Sequence, residues 1–319
     1  MALEISLSEQ IFNYKKIPHL LQYTEELETI EKILKSKSFK PSYCKENFGN
    51  YEILIPMVSF CNIPLSLVPN FLYYGDYGIG LSQEWGIKNN IEPVKYLVNN
   101  TPLKINSLSE NIKAINNIRY LLQQKPNDIR LGLGLENETK ENSHFKLPLN
   151  IIKSMTDPEK PIQDLLELTI KNIQFSKYWE AEVKKHIILK DNKDKVVYKN
   201  ENFKSTINCY NEREWRFVPT IENTDTEIYP RIINSNDKNL QDLFKKYSSR
   251  ETKKPHFRQN NYSLKFDLED IKYILVKEKN EVPKIIDCLK TTFEKENVSQ
   301  KLENGNLIIL TRNRIFQDF

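Results

Sequence analysis

Glycine is scarce in this chain, with eight in 319 residues. Neither G-x-x-x-x-G-K-[ST] nor a complete G-x-G-x-x-G occurs: Gly78 and Gly80 run on to Gln83, and Gly132 and Gly134 to Asn137. A glycine-bared backbone cradle for phosphates is missing, which disfavours a P-loop and a standard Rossmann site. Cysteine is thin as well. Cys44, Cys61, Cys209 and Cys288 lie far apart with no CxxC pair and no histidine at ligand spacing, so reduced cytosolic thiols are expected and structural zinc is not. His19, His144, His186 and His256 are scattered without HxH or HExxH spacing, and no GxSxG elbow is present, so neither a metal site nor a hydrolase triad has anything to rest on. Charge of one sign is lacking too. The 47 Lys and Arg against 43 Asp and Glu leave only +4, which permits nucleic-acid binding without arguing for it.

No basic stretch followed by an apolar one opens the sequence, so no secretory signal is evident. Residues 53–75 carry no charge, but Pro56, Pro64 and Pro69 would break a spanning helix, and buried strand and loop are expected instead of a membrane segment. A cytoplasmic protein is the expectation.

What is present is enough apolar material, 39% of residues, for a sizeable core. Leu20 to Tyr23, Val58 to Cys61, Tyr77 to Leu81, Arg213 to Val218 and Tyr273 to Val276 read as strands of one core, each an apolar run bounded by turn residues. Thr24 stands where an N-cap would precede a helix striped by Leu27, Ile30, Ile33 and Leu34, and Ser82 can cap a helix over Gln83 to Lys88. Pro93 to Val98 and Lys195 to Lys199 read as further strands, and residues 222–262 as loop-rich. Between residues 101 and 190 the three-and-four spacing of Ile112, Ile115, Ile118 and Leu121, and later of Leu165, Leu166, Ile170 and Ile173, predicts a helical insertion. Strands flanking a helical middle give an α+β class, with residues 1–319 as a single unit.

The strongest local signal is Asn211-Glu212-Arg213-Glu214-Trp215-Arg216-Phe217-Val218. On a strand, alternation places Glu212, Glu214 and Arg216 on one face and Arg213, Trp215 and Phe217 on the other. Two carboxylates on one face can hold a ribose hydroxyl and stabilise an oxocarbenium cation. A solvent-facing charge ladder is the alternative. Tyr73 to Leu81 sets aromatic faces beside glycines, which suits stacking of a planar ring or a turn between packed strands. Gln22 offers a donor and an acceptor at the end of the first strand.

Taken in order, LLQYT, a helix, FKPSY, PMVSFCNIPLS, YGDYGIGLSQEWGIKNNIEPVKYL and NEREWRFV resemble the AbiGi family of abortive phage-resistance proteins across most of the chain. The resemblance implies bacterial phage defence in a toxin–antitoxin arrangement, with a partner toxin or antitoxin, or a phage or host macromolecule, as partner. More distantly, the same blocks are similar to the ADP-ribosyltransferase fold. That likeness implies a mixed sheet around NAD as substrate, with Gln22, Tyr23 and Thr24 at the ribose, Tyr74 or Tyr77 on the nicotinamide, and Glu214, assisted by Glu212, as the catalytic carboxylates. Where such relatives carry histidine before the aromatic and the threonine, this chain has Gln22. Transfer of ADP-ribose to a macromolecule is then one expectation, and a non-enzymatic antitoxin or phage sensor another. A structural adaptor that binds through the helical insertion is a third. The transferase reading requires Gln22, Tyr77 and Glu214 to converge on one cleft.

Overall fold

The computed structural model describes residues 17–48, 51–98, 159–190, 196–221, 232–235, 240–248 and 262–318. In chain order these form β1 (His19–Thr24), α1 (Leu27–Ser36), β2 (Ser38–Phe39), β3 (Ser42–Phe48), β4 (Tyr51–Cys61), a 3-10 helix (Leu65–Tyr74), β5 (Tyr77–Ser82), α2 (Gln83–Lys88), β6 (Glu92–Pro93) and β7 (Lys95–Leu97). After residue 158 come α3 (Glu159–Gln174), β8 (Ser176–Tyr178), β9 (Glu180–Lys190), β10 (Val196–Asn208), a 3-10 turn (Cys209–Glu212), β11 (Glu214–Phe217), β12 (Ile233–Asn234) and α4 (Gln241–Ser248). The chain closes with β13 (Leu264–Lys265), β14 (Ile271–Val276), α5 (Val282–Thr292), α6 (Lys295–Glu303), β15 (Ile308–Thr311) and α7 (Arg312–Asp318).

The principal sheet runs β15-β14-β5-β1-β4-β11-β6, with β3 and β12 also paired to β4. It is mixed: β14 and β15 are parallel, the other ladders antiparallel. All five strands expected from apolar runs lie in it, and the α+β class holds.

Alternation sorts its side chains into two environments. Leu20, Phe60, Tyr77, Ile79, Ile274 and Val276 form one cluster with Ile30 and Leu34 of α1, Ile285 and Leu289 of α5 and Val298 of α6. The opposite face carries Leu21, Cys61 and Leu275 beside Val68 and Ile315, and further along Ile53, Ile55 and Met57 beneath Ile170 and Ile173 of α3.

Local chemistry explains where the strands and helices begin and end. Ser82 Oγ accepts the Trp85 N–H and caps α2 as expected. Thr24 caps nothing. It stays in β1 paired with Tyr77, and Glu26 takes the N-cap position of α1 without a side-chain bond. Gly75 has φ +144°, and a Cβ there would lie 2.0 Å from the Thr24 carbonyl oxygen, so only glycine passes. Gly78 and Gly80 serve packing, since they face Leu275, Leu21 and Tyr273. Pro64 and Pro69 accompany a 3-10 helix where strand and loop were expected.

Two expectations need correction beyond residue 90. Pro93 to Val98 is split into β6 and β7, because the chain pairs with β11 as far as Val94, whose N–H meets the Glu214 carbonyl, and from Lys95 on pairs with β8 instead. The helical insertion ends earlier than predicted: α3 is helical, but residues 176–178 and 180–190 are strand, and residues 101–158 lie outside the described residues. Beta-branched Val183, Ile187 and Ile188 favour the extended chain there. Of the strand expected over Lys195 to Lys199, residues 196–199 open β10, the second arm of the β9–β10 hairpin, and Lys195 lies outside the described residues. Most of residues 222–262 lies outside the described residues. No described helix is long and apolar enough to cross a membrane.

Candidate functional site

β11 pairs with β4 through Glu214–Cys61, Trp215–Phe60, Arg216–Ser59 and Phe217–Val58. This register sends Glu214 and Arg216 to the face opposite the α1 and α5 layer, where they are 4% and 0% exposed. Trp215 and Phe217 go to the apolar side. Glu212 is not part of the strand. It ends the preceding 3-10 turn, and Arg213, at φ 44°, reverses the chain before β11 begins. Strand alternation therefore does not set Glu212 beside Glu214, although the turn brings the two together. Both are buried, so the solvent-facing ladder is overturned as well.

The two carboxylates share one ammonium. Lys177 of β8 donates to Glu212 Oε2 at 2.8 Å and to Glu214 Oε2 at 2.7 Å. Arg216 Nε donates to Glu214 Oε1 at 2.7 Å and Nη2 to Oε2 at 3.3 Å, while Nη2 also meets Glu46 of β3. Its Nη1 donates to the carbonyls of Gln174 and Ser176, tying the end of α3 to the sheet. Ser59 Oγ completes the shell of Glu214 at 3.0 Å from Oε1. Tyr74 OH donates to Glu212 Oε1 at 2.6 Å, and Tyr96 OH accepts the Glu214 N–H at 2.7 Å. The result is a buried chain of charges, Glu46–Arg216–Glu214–Lys177–Glu212.

The electrostatics follow from burial and neighbours. Burial alone would raise the Glu214 carboxyl, but Arg216 and Lys177 outweigh it and hold the group down at about 2. At Glu46 burial wins over Arg216 and Lys177, and its carboxyl is raised. Burial pulls the Lys177 ammonium down, yet Glu214, Glu46 and Glu212 raise it well above an ordinary lysine. The Cys209 thiol is pushed up to about 12 by burial, so it is no nucleophile at neutral pH.

A cleft of about 760 Å³ opens against this chain of charges, within the range of small-ligand sites. Gln22, Tyr23, Tyr74, Glu212 and Glu214 line it, together with Lys177, Ser59, Glu46 and Lys40. Tyr23 and Tyr74 lie 6.4 Å apart, centre to centre. Five of the seven anticipated residues thus meet in one place. Tyr77 and Thr24 do not. Paired with each other across β1 and β5, they share the face of the α1 and α5 layer, opposite Glu214, a face that alternation also gives to Gln22. Tyr77 OH donates to Glu281 at 2.8 Å, with its phenol pushed up to about 12 by burial and by that bond. The expected convergence of Tyr77 with Glu214 therefore fails, by the parity of the strands.

Lys177, Glu46, Ser59 and Tyr96 were not foreseen as site residues. Arg216 was foreseen on the right face without a role. Lys177 left only a faint signal, a lone cation just after the apolar stripe of α3 ends. Among the described residues no His, Cys, Asp and Glu cluster has the makings of a metal site.

The family model described as abortive phage resistance protein AbiGi, antitoxin, matches residues 37–277, a span that holds β3, β4, β11 and Lys177. The abortive phage resistance protein AbiGi of Lactococcus lactis subsp. cremoris is 26% identical over 252 residues, covering 77% of this chain and 81% of that protein. No solved structure matches the chain. With more than half its length matched by the family model, the chain belongs to the AbiGi family.

Proposed function

We propose that this chain acts in abortive phage resistance as an antitoxin, and that its cleft binds a ligand or partner without turning it over. Family membership supports the first half. One observation carries the second: Glu214 already accepts from Ser59, Lys177 and twice from Arg216. A carboxylate has about four lone-pair sites, and here all are taken by the protein itself. Such a group holds its surroundings together and has little left to offer a ribosyl cation.

NAD-dependent transfer is the second reading, favoured by the meeting of Gln22, Tyr23, Tyr74, Glu212 and Glu214 in one cleft. The convergence of Tyr77 with Glu214 that this reading required fails, which counts against it and leaves Tyr74 as its stacking ring, because Tyr77 faces the other way.

The test is to express this chain alone, the product of the adjacent gene alone, and both together. Relief of the neighbour's toxicity by this chain is the expected result. Toxicity of this chain alone, with release of nicotinamide from NAD that falls roughly 10²-fold in Glu214→Gln, would reverse the assignment in favour of the transferase.

A further inference from the structure

The β9–β10 hairpin is a sheet of its own: its two strands pair with each other and with no other strand among the described residues. Its base is closed where the Trp179 carbonyl accepts the Cys209 N–H at 2.7 Å. β9 alone spans 11 residues, a reach of roughly 35 Å. The charge of this ribbon is unlike that of the rest of the chain. Residues 183–190 and 196–204 hold Lys184, Lys185, Lys190, Lys199 and Lys204 against Glu201 alone. Setting these aside from the 47 Lys and Arg and the 43 Asp and Glu leaves 42 of each, so the whole excess of +4 resides on the ribbon. Spread over the chain that excess only permits nucleic-acid binding; gathered on one element it argues for an anionic partner.

The register gathers the charge further. Lys184 stands directly opposite Lys204, and Lys199 opposite Ile188. Alternation therefore gives one face to Lys184 and Lys190 of β9 and to Lys199 and Lys204 of β10, because the irregularity between Asn200 and Phe203 returns the two β10 lysines to the same side. Glu180 and Glu182 fall on that face too, but at its base. Val183, Ile187, Leu189, Tyr198 and Phe203 take the other face, with Lys185 among them. Like charges directly opposite each other weaken a ladder, and a two-stranded ribbon has little stability to spare. An anion laid along the face turns that repulsion into attraction.

Shape selects among anions. Two strands about 4.8 Å apart fit the major groove of B-form DNA, about 12 Å wide, which admits a two-stranded ribbon, whereas the deep and narrow major groove of A-form RNA does not. Residues 180–208 contain no arginine, the side chain that reads guanine edges in pairs of hydrogen bonds, and lysine meets phosphate as a point charge. We propose that the lysine face of the β9–β10 ribbon binds the phosphate backbone of duplex DNA with little dependence on base sequence. This goes beyond the cleft and the antitoxin reading and rests on neither.

The test measures binding of the full-length protein to two unrelated DNA duplexes of about 20 base pairs, from about 50 to about 200 mM salt. Four phosphate contacts give a slope of about −3.6 in log affinity against log salt, a loss of roughly 10²-fold over that range, equal for the two sequences. Lys184→Gln with Lys204→Gln should weaken binding about tenfold or more at the lower salt and halve the slope, while the melting temperature holds or rises because the opposed pair is gone. Lys190→Gln with Lys199→Gln should halve the slope independently. Lys185→Gln, on the other face, should leave it unchanged. No binding at about 50 mM salt, a slope that neither double variant lowers, or one that Lys185→Gln lowers by about 0.9 would each overturn the proposal. So would tighter binding to duplex RNA or to polyglutamate than to the DNA, the latter assigning the face to an acidic polypeptide.

Discussion

Neighbouring residues of β11 live in two different media. Trp215 and Phe217 pack with Phe60 and Val58 in an apolar cluster, whereas Glu214 and Arg216, one residue away, are buried among charges and solvated by them. On the first side the stabilisation is non-directional and scales with area removed from water. On the second it depends on each donor meeting its acceptor, since a buried charge stripped of its partner is far more costly than a lost contact. The apolar side can therefore relax around a substitution, while the polar side has one arrangement that works. Lys177 and Glu46 make that arrangement a joint property of β3, β8 and β11, segments far apart in the chain.

The largest expected effect breaks the polar side alone. Arg216→Met leaves Glu214 and Glu46 buried without their guanidinium and should cost ~3–5 kcal/mol in urea unfolding. Phe60→Ala on the apolar side should cost about as much, ~3–5 kcal/mol, through a cavity. Equal size with different cause is the point, and pH separates them.

Glu214 is held at about 2, below its unfolded value of ~4.3, so the stability it contributes is complete above ~4.3 and is lost as pH falls from there toward 2. The amount is about 3 kcal/mol, which urea melts between pH 2 and pH 7 would read. Glu46, raised by burial, acts in the opposite sense and takes stability away as pH rises through its folded value. The Phe60→Ala curve should run parallel to the wild type across the acid window, whereas Glu214→Gln should flatten it. A wild-type profile flat between pH 4.3 and pH 2 would dissolve the contrast between the two sides.

The apolar side was largely legible in the sequence, because alternation and the three-and-four spacing are local. The five strands and the stripe of α1 needed only residues within ten positions of one another. Glu214 and Arg216 were placed on one face by the same rule. Their partners were not legible, since Lys177 and Glu46 come from elements whose pairing with β11 depends on tertiary packing. Glu212 was right in place and wrong in reason: a left-handed Arg213 carries it to the site, and a non-glycine residue with positive φ gives no warning in sequence. Tyr77 was misplaced because the face it occupies depends on the β1–β5 register, which only the structure supplies.

A smaller change sharpens the comparison inside the polar side. Tyr74→Phe removes the donor to Glu212 Oε1 but leaves Lys177 on Oε2. A hydrogen bond to a charged group contributes ~1.5–3 kcal/mol, and with Tyr74 37% exposed the loss should sit near ~1.5 kcal/mol. A loss as large as that of Arg216→Met would mean that Tyr74 anchors the 3-10 helix to the site as well as filling one acceptor.

The smallest effect lies on the apolar side and should carry the opposite sign. Glu26 occupies the N-cap of α1 with extended backbone, φ -128° and ψ 137°, yet its side chain makes no capping bond. Serine at that position can accept an N–H of the first turn at short range, which glutamate, with one more methylene than the capping residue aspartate, does not do here. Glu26→Ser should therefore stabilise the fold by ~0.5–1 kcal/mol in urea unfolding, reduced by whatever the lost negative charge contributed to the helix dipole, ~0.3–1 kcal/mol. The two terms are separable with Glu26→Asp, which keeps the charge and gains the cap, and should be the more stable of the two variants. Because α1 packs only on the apolar face, neither variant should alter the acid titration of Glu214. If either one did, the two sides of the sheet would be coupled through α1, and the independence assumed throughout the comparison would be lost.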